Sequence, residues 1–261
     1  MIQDNLEKKL RAMKLYYLAE NLDAFCEKTA GLDGLKIVEE LVSLEQLEKQ
    51  KRSSERRLIE ARLGRFKQMA DFDWDWPAEI DRPAVERLLK LNFLKEKENI
   101  VIAGAQGLGK SMIARNIGQA AVMTGCSTLF TSASELVCDL SSQESIPALH
   151  RRLKRYYKPE LLIIDEVGYL SFDHKAADLL FDVISRRYET ASIIITTNLT
   201  FKEWHTIFPG ASCLVALLDR LTHHSDLLSI KGDSYRTKEA KEKKLREQIK
   251  NQTANKKEKL K

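Results

Sequence analysis

Eight consecutive residues, Gly104-Ala105-Gln106-Gly107-Leu108-Gly109-Lys110-Ser111, follow the pattern G-x-x-x-x-G-K-[ST], which wraps the phosphates of a nucleoside triphosphate. Each residue type has a physical task. The glycines accept backbone angles that a Cβ forbids, so successive N–H groups turn inward as an anion-binding nest. Lys110 would bring a positive charge to the β- and γ-phosphates, and Ser111 would offer its hydroxyl to Mg²⁺. A helix beginning here adds its positive N-terminal end. The bland alternative is a glycine-rich turn beside an isolated lysine. The flanks argue against it: Ile100-Val101-Ile102-Ala103 reads as a buried strand, and Met112, Ile113, Ile117 and Ala120-Ala121 have helical spacing.

A second chemical segment, Leu161-Leu162-Ile163-Ile164-Asp165-Glu166, is an apolar strand ending in two carboxylates, 55 residues beyond Lys110. In a parallel sheet this strand and the one before the loop end at the same edge, where ligands bind. Asp165 would there meet Ser111 across Mg²⁺. Holding a metal needs only the aspartate. Glu166 is placed to orient and polarise an attacking water. Alone, the segment would be a strand running into an acidic turn. Ile193-Ile194-Ile195-Thr196-Thr197-Asn198 repeats the design, a buried strand with a polar tip. Asn198 would donate its amide to the γ-phosphate or the lytic water, or else serve as a strand-end turn residue. Leu217-Leu218-Asp219-Arg220-Leu221-Thr222 ends an apolar helix with a buried-looking Asp-Arg pair. That pair is either a structural salt bridge or the presentation of Arg220 to a neighbouring subunit's γ-phosphate. Arg236, in Gly232-Asp233-Ser234-Tyr235-Arg236, is a further candidate phosphate contact.

Taken with Asp165–Leu170, Arg186-Arg187-Tyr188-Glu189, Thr196–Leu199, Trp204 and Asp219–Leu221, these blocks resemble the IstB family. Its members are AAA+ ATPases that assist transposition of insertion sequences and are similar to the helicase loader DnaC and the initiator DnaA. The resemblance covers almost the whole chain. The phosphate loop and the Asp-Glu pair are shared by many families, whereas the Arg-Arg-Tyr-Glu and Gly-x-Ser-Tyr-Arg blocks are narrower. It implies ATP-dependent assembly on duplex DNA, ATP-bridged homo-oligomers and a cognate transposase as partner. Glu166 then takes the catalytic carboxylate role, Asn198 the sensor role, and Arg220 the arginine-finger role in trans. Gln106 stands where proline is common in the family, and Ser111 where threonine is common. A lid domain beyond Arg236, with a second sensor, is not expected.

The elements that must position these residues follow from patterning. From residue 99 onward strands and helices alternate, the signature of a parallel sheet flanked by helices. Strands are expected near 100–103, 128–131, 161–165, 193–197 and 227–230, giving an α/β AAA+ P-loop NTPase fold with a central parallel five-stranded sheet. Helices are expected near 84–94, 110–123, 134–141, 145–156, 174–189 and 212–222. Residues 1–69 read as an N-terminal all-helical domain, with helices at 5–29 and about 35–69. Leu41, Leu44 and Leu47 stripe the second helix. Its face then turns basic with Lys51, Arg52, Arg56, Arg57, Arg62, Arg65 and Lys67. This is either a solvated face or a phosphate-contacting one, with Lys51, Arg52, Arg56 and Arg57 the DNA candidates. Asp71-Phe72-Asp73-Trp74-Asp75-Trp76-Pro77 reads as an extended linker into an ATPase domain at 70–236. Its aromatics would pack on that domain or help to form the base pocket.

Charge supports a polyanionic partner. The chain of 261 residues has a formal net charge of +5. That total divides into +2 over 1–70, −4 over 71–235 and +7 over 236–261. The last stretch, a basic tail at 237–261, is expected to be nascent helix or disordered. The four cysteines form no C-x-x-C, and the longest apolar run, Cys213–Leu218, is far short of a membrane span. No secretory signal is evident at the start. A cytoplasmic, nucleoid-associated bacterial protein with no membrane partner is expected. His223-His224 reads as a surface pair rather than a metal site. Two rival readings share the ATPase core or its nucleotide site: a DnaC-like replicative helicase loader, and a nucleotide-gated DNA-binding scaffold with negligible hydrolysis. A small-molecule kinase is disfavoured, since no second basic lid is evident.

Overall fold

The computed structural model describes residues 2–169, 173–240 and 243. Of the basic tail at 237–261, all but 237–240 and 243 lies outside the described residues, as does Leu170. The chain forms two compact units, 1–59 and 60–261.

Four helices build the first unit: α1 (Ile2–Ala12), α2 (Tyr16–Glu20), α3 (Leu22–Thr29) and α4 (Gly34–Ala61), whose last turn runs into the second unit. The single helix expected at 5–29 is broken twice. Lys14 takes a left-handed φ of +60° after α1, and Asn21 separates α2 from α3. Leu10, Leu18, Ala19 and Phe25 form a small core with Ile37, Leu41 and Leu44, while Leu47 is 60% exposed. Glu45 is buried because its carboxylate accepts the Leu18 amide at 2.8 Å. It thereby caps α2, which has no side-chain cap of its own. The helix expected to reach residue 69 stops at Ala61, where Arg62 (φ +54°) and Gly64 (φ +65°) leave the helical region.

The second unit contains β1 (Glu79–Ile80), α5 (Arg82–Leu89), α6 (Asn92–Glu96), β2 (Asn99–Gly104), α7 (Lys110–Met123), β3 (Thr128–Ser132), α8 (Ala133–Ser141), α9 (Ile146–Tyr157), β4 (Leu161–Val167), α10 (His174–Arg187), β5 (Ser192–Thr197), α11 (Trp204–Ile207), α12 (Leu214–Thr222) and β6 (Ser225–Lys231). The sheet has six strands rather than the expected five, in the order β1-β6-β2-β5-β4-β3. The addition is the two-residue β1, antiparallel to β6 and too short to leave a periodic signal. The other pairings are parallel. The helix expected at 84–94 divides because Leu91 adopts φ +64°.

Apolar runs in β2, β4 and β5 are continuous because both sheet faces are covered. Alternate residues serve opposite cores. Leu161 and Ile163 pack with α5 and α7 residues such as Val85, Ile113 and Ile117, whereas Leu162 and Ile164 pack with Leu136, Leu153 and Val183 of α8, α9 and α10. Residues 61–74 join the first of these cores through Ala61, Leu63, Phe66, Met69, Phe72 and Trp74. The expected extended linker is therefore folded: 69–71 form a 3₁₀ turn and Pro77 is buried.

Candidate active site

β2 lies between β5 and β6, so the loop after β2 opens beside the carboxyl ends of β5 and, one strand further, β4. Gly107 and Gly109 have φ of +77° and +88°. A Cβ on Gly109 would come within 2.6 Å of the Phe72 ring, and one on Gly107 would overlap the Ser234 side chain. Gly109 is the N-cap of α7 and brings no side-chain cap, so the first amides of that helix are offered to an anion. Lys110 is buried, and its Nζ donates to Gly104 O and Ala105 O at 2.7 Å each. Burial lowers the pKa of this ammonium. Arg236 pushes the same way, while Asp165 and Glu166 oppose the shift.

Asp165 is 4% exposed at the end of β4. Its Oδ1 accepts the Ser111 hydroxyl at 2.8 Å and the Thr196 hydroxyl at 2.5 Å. Glu166 is exposed, with φ +61°, and donates its backbone amide to Thr196 Oγ1 at 2.9 Å. Asn198 follows β5, and a Cβ on Gly168 would sit 2.9 Å from its Oδ1. These groups line a cavity of about 440 Å³.

The far wall is aromatic and charged. Phe66, Phe72, Trp76 and Tyr235 line it, with Phe72 and Trp74 ring centroids 4.7 Å apart. Of the linker aromatics, Phe72 packs on the core, as expected, and also lines the cavity. Residues 233–239 clasp this wall. The Trp76 indole donates to Asp233 O at 2.8 Å, and the Tyr235 amide donates to Gly107 O at 3.0 Å. Lys238 pairs with Asp73 at 2.8 Å and Lys67 with Glu239 at 2.7 Å. The hydrogen bond from Lys238 holds the Asp73 carboxyl below its ordinary value, and the one to Glu239 raises Lys67.

Of the residues singled out in the sequence, Gln106 to Ser111, Asp165, Glu166, Asn198 and Arg236 line this one cavity. Gly104 and Ala105, expected on the phosphates as well, do not line it; their carbonyls accept from Lys110 Nζ instead. Arg220 does not line it. It sits on α12, half-buried, with its guanidinium 4.9 Å from the Phe181 ring centroid. Asp219 is exposed, and among the described residues no ion pair joins it to Arg220. The expected buried pair is absent because successive helical side chains diverge. On α4, Arg52 pairs with Glu20 at 3.8 Å and lies over Tyr16, and Arg57 donates to Ser53 Oγ at 2.7 Å. Lys51 and Arg56 are exposed on the same helix.

Sequence reasoning gave Thr196 and Tyr235 no part in the site, and placed Lys67 on the basic helix face rather than at this cavity. The available signal for Thr196 was a buried strand that ends Thr-Thr-Asn rather than in apolar residues. The Arg186-Arg187 pair divides its labour: Arg186 pairs with Asp182 on the surface, whereas Arg187 is fully buried. Arg187 donates to the carbonyls of Tyr156, Pro159, Glu160 and Ser192. His223 and His224 form the turn between α12 and β6. Their ring centroids are 4.1 Å apart and Glu189 is alongside, all three exposed. No helix among the described residues is long and apolar enough to cross a membrane.

Residues 8–243 match the family described as IstB-like ATP binding protein. The chain is 36% identical over 240 residues to the ATP-binding protein of insertion sequence IS5376 from Geobacillus stearothermophilus, covering 91% of this chain and 96% of that one. It is 37% identical over 237 residues to the corresponding protein of insertion sequence IS21 from Pseudomonas aeruginosa, covering 90% and 89%. Among solved structures it resembles DnaI, with a TM-score of 0.53 and 16% identity over 63% of this chain and 90% of that one. AMPPCP-bound DnaA from Aquifex aeolicus gives a TM-score of 0.55 and 24% identity over 70% and 56%. At these identities the likeness speaks to the fold, which is the AAA+ one.

Proposed function

The chain belongs to the family of IstB-like ATP binding proteins, and from that premise we propose that it is a Mg²⁺-dependent ATPase that assembles on duplex DNA and recruits or activates a cognate transposase. The observation that carries the ATPase reading is the meeting of Ser111, Asp165 and Glu166 at one end of a cavity floored by the phosphate loop. The residues present suit the ligands. The α7 first turn, without a side-chain cap, and Lys110 suit a triphosphate, and the Ser111 hydroxyl with the Asp165 carboxylate is a hard-oxygen pair suited to Mg²⁺. Held by Ser111 and Asp165, Mg²⁺ would neutralise charge on the triphosphate.

The chain's own groups do the rest. Lys110 releases its two carbonyls for the γ-phosphate, a stronger, charge-assisted acceptor. Glu166 takes a proton from the attacking water as the new oxygen–phosphorus bond forms and the bond to the β,γ-bridging oxygen breaks, releasing ADP and phosphate. Asn198 orients that water, and Arg236 adds positive charge from the clasp side. Arg220, remote from its own cavity, completes the neighbouring subunit's site. Phe66, Phe72, Trp76 and Tyr235 provide faces for the base.

In this reading the N-terminal helical unit makes the DNA, partner and oligomer contacts, with its boundary at 59 rather than the expected 69 because 61–69 pack into the second unit's core. The ATPase domain then runs to 236 and 237–261 is a basic tail, in a cytoplasmic, nucleoid-associated protein. The insertion-sequence origin of the relatives supports a transposase as partner. The basic ends, and the exposed Lys51 and Arg56 on α4, support a nucleic-acid partner. Glu166→Gln is the deciding variant: turnover falls at least about 100-fold with nucleotide binding kept. Negligible turnover in the parent, unchanged in the variant, would establish the scaffold reading instead. Duplex affinity falls linearly in log–log form with salt, and a flat response would rule out phosphate contacts. Recovery of a replicative helicase rather than a transposase in a pull-down would favour the loader.

A further inference from the structure

β4 and β5 run in regular parallel register from Leu161 opposite Ser192 to Ile164 opposite Ile195, and meet again at Val167 opposite Thr197. Between these points β4 places two residues, Asp165 and Glu166, against one on β5, Thr196. This is a β-bulge. Its consequence follows from strand geometry, since neighbours on a regular strand point to opposite faces. In an unbroken β4 only one of the two carboxylates would reach the cavity, whereas here both line it. The arrangement is held against a local preference, because Glu166 sits at φ +61°, a region that a Cβ disfavours.

Thr196 supplies the holding contacts. Its side chain is fully buried. Its hydroxyl donates to Asp165 Oδ1 at 2.5 Å and accepts the Glu166 amide at 2.9 Å. One hydroxyl has one proton to give and lone pairs to receive, so both bonds form together. The extra residue takes the Glu166 amide out of the ladder, and Thr196 is where that amide finds its acceptor. Asp165 Oδ1 also takes the Ser111 hydroxyl, so a single chain of bonds runs from the phosphate loop through Asp165 and Thr196 to the backbone of Glu166.

We propose that Thr196 is a positioning residue of this site, its hydroxyl pinning the bulge that turns Asp165 and Glu166 into one cavity. Thr196 acts through the two carboxylates. The inference rests on the reading of Glu166 as the hydrolytic carboxylate.

The test uses the full-length protein with ATP, Mg²⁺ and duplex DNA. Thr196→Val keeps the branched shape and removes the hydroxyl, and Thr196→Ser keeps the hydroxyl and removes the methyl. For Thr196→Val, turnover drops about 10- to 100-fold while affinity for a fluorescent ATP analogue stays within about threefold. Hydrogen exchange at the Glu166 amide accelerates about tenfold or more. Thr196→Ser returns both readouts to within about threefold of the parent. Parental turnover in Thr196→Val overturns the proposal. So does a Thr196→Ser variant as impaired as Thr196→Val, because packing rather than the hydroxyl would then be responsible. Glu166→Gln measured alongside separates the two failures. If it matches the parent, the hydrolytic reading fails and exchange at the Glu166 amide alone decides whether Thr196 is the pin. If it is inactive while Thr196→Val is not, the pin fails and the hydrolytic reading stands.

Discussion

Lys110 illustrates how one residue is prepared for a charged ligand. Its ammonium is buried, and burial lowers its pKa, yet it is satisfied by two carbonyls of its own loop. Those carbonyls are neutral acceptors, so a phosphate oxygen displaces them at a gain. Lys110→Ala removes that exchange. Nucleotide affinity is expected to fall about 100-fold, measured by titration of a fluorescent ATP analogue, with the melting temperature nearly unchanged. Asp165 is prepared differently. Hydroxyls of Ser111 and Thr196 orient it, so the carboxylate waits in place instead of being ordered by the ligand.

At the scale of elements, two devices hold the site's frame. Arg187, at the end of α10, binds the carbonyls of Tyr156, Pro159, Glu160 and Ser192 and so ties the end of α9 to the starts of β4 and β5. Burial pushes its pKa down to about 10, which leaves it charged at neutral pH. Arg187→Met keeps the bulk but strands these acceptors. Denaturant unfolding should show a loss of at least about 3 kcal/mol. The second device is the clasp of 233–239 on the aromatic wall. Asp73 has a folded pKa below its ordinary 3.8, owing to the hydrogen bond from Lys238. Its contribution is therefore complete above pH 3.8 and is lost as pH falls through the lower folded value. Lys67, raised from 10.5 by Glu239, behaves oppositely and loses its contribution only as pH climbs past its higher folded value. The melting temperature of Asp73→Asn should thus lie below the parent's near neutrality, the gap closing under strongly acid conditions. A gap that persists there would dissociate Asp73 from the clasp.

For the whole molecule, the position of Arg220 is decisive. Each cavity contains its own loop, carboxylates and Asn198, and lacks its own Arg220. A heterologous interface would let one subunit's arginine serve the next subunit's nucleotide. Arg220→Ala alone should bind nucleotide and fail to turn over, as should Glu166→Gln. Mixed in equal amounts with ATP and DNA, the two inactive variants should recover about a quarter of parental turnover, because random mixing joins the two intact halves at that fraction of interfaces. No recovery on mixing would refute the assignment in trans.

The candidate site's residue types and most of the frame were legible in the sequence. The glycine spacing, Lys110, Ser111 and the polar tips of two buried strands are local patterns, and the strands and helices from residue 99 onward follow from uninterrupted apolar runs and helical periodicity. Local signals for breaks were weaker. Lys14, Arg62 and Leu91 are ordinary residues in left-handed conformations, so the helices they end looked longer than they are. A two-residue β1 has no period to detect. Tertiary packing added three features that no local pattern carries. It closed residues 66–77 against 233–239 over the phosphate loop, a pairing of segments far apart in the chain. It carried Arg220 away from its own cavity. It also set Thr196 against the Asp165 carboxylate and the Glu166 amide, because a bulge exists only as a mismatch between two strands and neither strand alone records it.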